Sequence, residues 1–219
     1  MDKQTAIDIH LSLQEPYKVN EIGYYSCLGH ALKEARTVTG RDSKSGKLED
    51  KNGSHTWLGA IAYLLIVDQI GECYETSKVI PNVGSPFRKA LHYFSDLSEC
   101  DSKILYGLRG SLVHNYSLVS RYKRDPKNPW DYCYVFELEA DSDSSLINTP
   151  QEKWTGDISL IDRKKHSTRI ILKKIGDLVE GIYKKLCYFN KENNLNLTAD
   201  LTPEDLLKRF TFTVYPTQP

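Results

Sequence analysis

Apolar positions recur at helical spacing in several segments of the chain, separated by polar stretches and by glycine or proline breaks. From about Glu21, EIGYYSCLGHALKEARTV carries a stripe through Ile22, Tyr25, Leu28 and Leu32, with Gly40 just beyond its end, and predicts a first helix. The residues before it, closed by Pro16, read as irregular or extended. Residues 40–54, GRDSKSGKLEDKNGS, are polar and charged and read as a mobile surface loop. The next segment, HTWLGAIAYLLIVDQIGECYE, is apolar nearly all round, which predicts a central helix contacted on most sides.

IPNVGSP then breaks the pattern, and Ser85 before Pro86 predicts a capped start for FRKALHYFSDLSE. His92 on that helix reads as a partly buried or surface histidine. A fourth helix follows, capped by Asp101 or Ser102, and carries ILYGLRGSLVHNYSLV. After Val119 the pattern changes to strand period in YCYVFELEA, with a return strand expected near Trp154 or Ile158. Helical spacing resumes from about Asp162, with Ile171, Ile175, Leu178, Val179, Ile182 and Leu186 on one stripe ending near Asn190. Thr202, Pro203, Glu204 and Asp205 mark the start of a short helix, and the tail TFTVYPTQP is extended. The expected fold is mainly α: one helical domain over 1–219, with a β-hairpin or small β excursion inserted at 121–160.

Composition changes this picture little. The 219 residues suffice for a real core, and 29 basic against 29 acidic residues leave no long-range pull toward nucleic acid or membrane. Any such binding needs a local basic patch. RYKR at 121–124 and DRKKH at 162–166 are the candidates for an RNA path. The five cysteines, Cys27, Cys73, Cys100, Cys133 and Cys187, form no metal-type cluster and read as reduced, mostly buried thiols. The first residues lack an apolar signal region, and Trp57–Val67 is too short to span a bilayer, so a cytoplasmic protein without membrane contact is expected.

The fourth helix holds the chemistry. On a helical wheel its buried stripe runs through Ile104, Leu105, Leu108, Leu112 and Val119, with Arg109 at the edge. Val113, Ser117, Gly110 and His114 follow round the wheel, so Arg109 and His114 frame a face of small residues, and Tyr116 falls beside Arg109. Arg and His at this spacing carry little weight alone. In context, LRGSLVHNY resembles the RxxxxH motif of the HEPN superfamily, and LVHNY also fits the RxxxxHxY form of toxins in MNT/HEPN toxin and antitoxin pairs. The resemblance covers about residues 20–120 with the long helix after 162.

What the resemblance implies is a HEPN-like helical bundle and a metal-independent endoribonuclease, a toxin or antiviral effector, with no cofactor. Arg109, His114 and Tyr116 are the implied catalytic residues. Histidine moves protons near neutral pH, and arginine offers a permanently charged fork to phosphate. RNA, a second copy of the chain that completes a composite cleft, and a cognate antitoxin protein are the implied partners. Gly110 departs from the pattern, because HEPN nucleases often carry Asn or Asp there. That departure keeps open a catalytically inactive module binding RNA, a nucleotide or a protein, and a purely structural Arg and His pair is the third alternative.

Overall fold

The computed structural model describes residues 1–49, 56–121, 130–137, 145–152, 154, 156 and 163–214. Helices dominate, and small sheets flank them. The chain opens with a helix, α1 (Lys3–Leu11), where extended structure is expected from the sequence. Asp2 caps it by accepting the Thr5 N–H, and Ala6, Ile7, Ile9 and Leu11 are buried in the core. Core burial stabilises a helix whose local pattern is too short to show it.

β1 (Tyr17–Val19) and β2 (Ile22–Ser26) form an antiparallel pair, so the helix expected from Glu21 begins only at Cys27. Its apparent stripe spans two elements. Tyr24 and Tyr25 suit a strand, and Ser26 switches the chain to helix by capping α2 (Cys27–Val38) through the Gly29 N–H. Residues 40–49 are more ordered than a mobile loop: Arg41 bridges Leu48, and Gly46 turns at φ 70°. The rest of that predicted loop lies outside the described residues.

α3 (Trp57–Cys73) is the central helix the apolar run predicts, capped by Thr56. β3 (Tyr74–Glu75) follows, then α4 (Pro86–Phe94) with Pro86 at its first position; Ser85 makes no side-chain capping bond. Gly71 permits the close packing of α3 on α4, because a Cβ there would sit 1.8 Å from the Pro86 carbonyl oxygen. α5 (Glu99–Asn115) is capped by Ser98, one turn before the expected Asp101 or Ser102, and Ser102 is buried instead. Antiparallel to α3, it carries Arg109 and His114.

β5 (Trp130–Glu137) is the strand expected in YCYVFELEA, but its antiparallel partner is β4 (Val119–Arg121), before it in the chain, and not a return strand. β6 (Ile147–Asn148) does not pair with β5, and Trp154 lies outside any strand; Ile158 is outside the described residues. After α6 (Arg163–His166), β7 (Thr168–Ile171) runs parallel to β5 and antiparallel to β6, so the sheet extends past residue 160. The long helix α7 (Leu172–Lys191) therefore begins ten residues after the expected Asp162. The β-branched run Thr168, Ile170 and Ile171 is buried, and strand pairing outcompetes helix there. β8 (Asn196–Leu197) pairs with β3; α8 (Pro203–Phe210) has the Thr202 and Asp205 capping box; β9 (Thr211–Val214) pairs with β2.

One hydrophobic core joins α1, α2, α3, α4, α5 and α7. Inside it Arg36 and Glu180, 2% and 6% exposed, form a two-pronged pair at 2.8 Å, and Arg36 also donates to the Ser43 and Lys44 carbonyls at 2.9 Å. Gly46 lies so close that a Cβ would meet the Glu180 carboxylate at 2.4 Å. This pair ties α2, α7 and residues 40–49 together. Among the cysteines only Cys73 is buried, Cys100 is exposed and the others are intermediate, so most are more accessible than the sequence suggests. Among the described residues no helix is long and apolar enough to cross a membrane.

His10 of α1 is fully buried, with Nδ1 2.7 Å from the Tyr74 hydroxyl and Nε2 3.1 Å from the Gln69 amide nitrogen. With Gln69 donating to Nε2, the proton sits on Nδ1 and is donated to Tyr74. Burial pushes its pKa down from 6.5 to about 3. The unfolded chain protonates this group near 6.5 while the folded chain keeps it neutral, so its contribution is fully present above that pH and is lost as pH falls toward 3. In urea unfolding between pH 6.5 and 4.5, wild type is expected to lose up to about 1.4 kcal/mol per pH unit more than His10→Gln. Equal slopes for the two proteins would show that His10 is charged in the fold.

Candidate functional site

The site forms where three helices meet. α3 brings Asp68 and α5 brings Arg109, both about one-fifth exposed, and the Arg109 Nε and Nη2 both donate to the Asp68 Oδ2. Asp68 also lies by the start of α4, close enough for the Phe87 backbone N–H to favour its charged form. It thereby places negative charge near the positive end of the helix that Ser85 leaves without a side-chain cap. Burial pushes the Asp68 carboxyl above the usual carboxylate range, and Arg109 and the Phe87 N–H offset that in part. The ionised carboxylate is the form that both donors require at neutral pH.

This clamp leaves one end of the guanidinium free. Arg109 Nη1 lies 3.2 Å from His114 Nε2, five residues on and one turn away along the same helix. The hydrogen bond is at the long end of the normal range, and His114 is exposed at the helix terminus. The structure thus brings Arg109 and His114 into contact, where the helical wheel sets them at two edges of one face. His114 lies in the last turn of α5, near the negative end of the helix and open to solvent.

Tyr116 leaves the helix on which the wheel sets it beside Arg109. α5 ends at Asn115, and Tyr116 adopts the left-handed conformation at φ 48°, with its N–H bonded to the Ser111 and Leu112 carbonyls. The Ser117 N–H also bonds to the Ser111 carbonyl at 3.0 Å, closing a Schellman-type turn. Helical periodicity therefore fails for both residues. The exposed Tyr116 ring packs on Trp57 of α3, with ring centroids 5.5 Å apart, and Ser117 leaves the small-residue face. Val119 likewise belongs to β4 and not to the buried stripe, whereas Ile104, Leu105, Leu108 and Leu112 are buried as expected.

Sequence reasoning missed Asp68. Its signal was an acidic residue inside a helix otherwise apolar nearly all round, where a buried charge demands a partner. Beyond Arg109, on the side away from His114, a groove of about 450 Å³ opens between α3, the start of α4, α5 and α8. Asp68, Gln69, Glu72, Tyr106, Arg109 and Arg209 line it. Of the two basic pieces, RYKR lies almost wholly outside the described residues; in DRKKH, His166 sits 3.1 Å from Glu152. Among the described residues no group of three or more His, Cys, Asp or Glu side chains is placed to hold a metal ion.

No protein-family model, curated protein or solved structure matches the chain.

Gly110, next to Arg109, faces open space: a Cβ there meets nothing within 4 Å. Gly110→Ala is therefore expected to raise stability by about 0.5–1 kcal/mol through helix propensity alone. Urea unfolding of dilute protein measures this, and a loss of stability would mean that the face is occupied.

Proposed function

We propose that the chain is a HEPN-type endoribonuclease, cleaving RNA without a metal ion at a composite site shared by two copies. The observation that carries this reading is the Arg109 and His114 pair, in contact at 3.2 Å and held at the edge of an open helix face by Asp68. A clamped arginine is a fixed donor, so little reorganisation is needed when charge develops on a phosphate. Asp68 takes two of its N–H groups and leaves Nη1 for the ligand.

In the proposed reaction, Asp68 keeps the guanidinium in place while Nη1 exchanges the His114 acceptor for a phosphoryl oxygen, which frees the Nε2 lone pair. His114 Nε2 takes the proton of the ribose 2′-hydroxyl as that oxygen attacks the adjacent phosphorus. The bond from phosphorus to the 5′ oxygen breaks, and the leaving oxygen takes a proton from His114 of the partner subunit. The products are a 2′,3′-cyclic phosphate and a 5′-hydroxyl. Tyr116, lying by Trp57, contributes to the face between copies and not to the proton transfers in this scheme.

The second copy has a surface to dock on. Leu58 and Tyr116 are exposed apolar side chains at the His114 end of the α3 and α5 face, and Gly110 allows close backbone approach between them and the groove. A HEPN-like bundle and an intracellular effector role, with a protein antitoxin, follow from the same reading. The alternative, a HEPN-like binding module without turnover, is favoured by Gly110, which supplies no polar side chain beside Arg109.

Cleavage of labelled structured RNA in EDTA tests the enzyme reading, with wild type, His114→Ala and Arg109→Lys compared and product ends determined. Wild type is expected to leave cyclic phosphate ends, His114→Ala to lose at least about 100-fold, and Arg109→Lys to lose the forked contact and most activity. Cleavage unchanged by His114→Ala, or none by folded wild type, overturns it in favour of the binding module.

A further inference from the structure

We propose that the groove beside Arg109 binds the nucleotide adjoining the scissile phosphate, with Tyr106 stacking on its base and Arg209 holding its far phosphate. This rests on the ribonuclease reading for the position of the scissile phosphate between Arg109 and His114. The groove begins at that arginine. Its volume of about 450 Å³ falls in the range of small-ligand sites, enough for one nucleotide and too small for a duplex.

The two arginines in its wall are set by one helix. Asp68 holds Arg109, and Glu72 holds Arg209 of α8 at 3.1 Å. Residues 68 and 72 are four apart on α3, about 6 Å of helical rise, which is the scale of one step along an extended single strand. A backbone entering at Arg109 therefore meets its next cation one nucleotide later. Arg209 is half exposed and lies over the Phe210 ring at 4.9 Å, so its guanidinium is steadied on one side and open on the other.

The same groove holds an aromatic platform. Tyr106 is 43% exposed on α5, one turn before Arg109, and its ring is backed by Phe87 with centroids 6.4 Å apart. An exposed tyrosine supported from behind, with arginines in the same groove, is the arrangement that stacks an unpaired base. Gln69 of α3 is a further polar residue of the groove wall.

The test is binding and cleavage measured separately. A fluorescent single-stranded RNA with 2′-O-methyl groups, which cannot be cut, is titrated by anisotropy with wild type, Tyr106→Ala, Tyr106→Phe and Arg209→Ala, each checked by thermal melting. Tyr106→Ala and Arg209→Ala are expected to bind at least about 5-fold more weakly, and Tyr106→Phe to bind as wild type does. With unmodified RNA, the same two variants should raise KM with kcat within about 2-fold, which places Tyr106 and Arg209 as positioning residues. Binding unchanged in both, or no binding by wild type, overturns the groove assignment. Weakened binding in a protein that cuts no RNA would leave the groove standing and remove only the ribonuclease reading.

Discussion

The Asp68 carboxylate is the point on which the site depends. It belongs to α3, takes two donors from Arg109 on α5, and lies by the start of α4 where the Phe87 N–H favours its charged form. A carboxylate this far buried is unfavourable unless its partner is in place, so α3 and α5 are bound to one arrangement beside α4. Gly71 allows the approach of α3 and α4 that makes this geometry reachable. Arg109 is therefore aimed before any ligand arrives, with one end clamped and the other toward His114.

The other buried polar groups work in the same direction from the far side of the core. Arg36 and Glu180 lock α2 to α7 and order residues 40–49, and His10 with Tyr74 and Gln69 fixes α1 against α3. Gln69 links the two regions: its amide nitrogen meets the buried His10, it is one of the residues that line the groove, and its neighbour Asp68 serves the site. Rigid elements beneath an open face are what a preorganised site requires. Among the described residues, the helix face at Gly110 and His114 is open.

Much of the fold was legible where the signals are local. α3, α4 and α8 announce themselves through continuous apolar runs, Pro at the first position and the Thr202 cap. Where two elements share one run, periodicity misleads: Ile22 and Tyr25 belong to β2 and Leu28 and Leu32 to α2, although all four fit one stripe. α1 escaped because its stability comes from the core and not from its own pattern. β7 escaped because isoleucines at 170 and 171 continue smoothly into α7, and only strand pairing with β5 separates them. The placing of Arg109 and His114 on one helix was legible, and their contact comes from the reach of the arginine side chain. Tyr116 was not, since a wheel carries no information about where the helix stops, and Asp68 was not, since its link to Arg109 spans 41 residues.

The direct test of this account is a double-mutant cycle on Asp68→Asn and Arg109→Gln, read by urea unfolding at neutral pH. If the carboxylate ties α3 to α5, the two losses are strongly non-additive, with a coupling of about 1–3 kcal/mol. Losses that add to within about 0.5 kcal/mol would mean that Arg109 is not held by Asp68, and the preorganised site would fall with it.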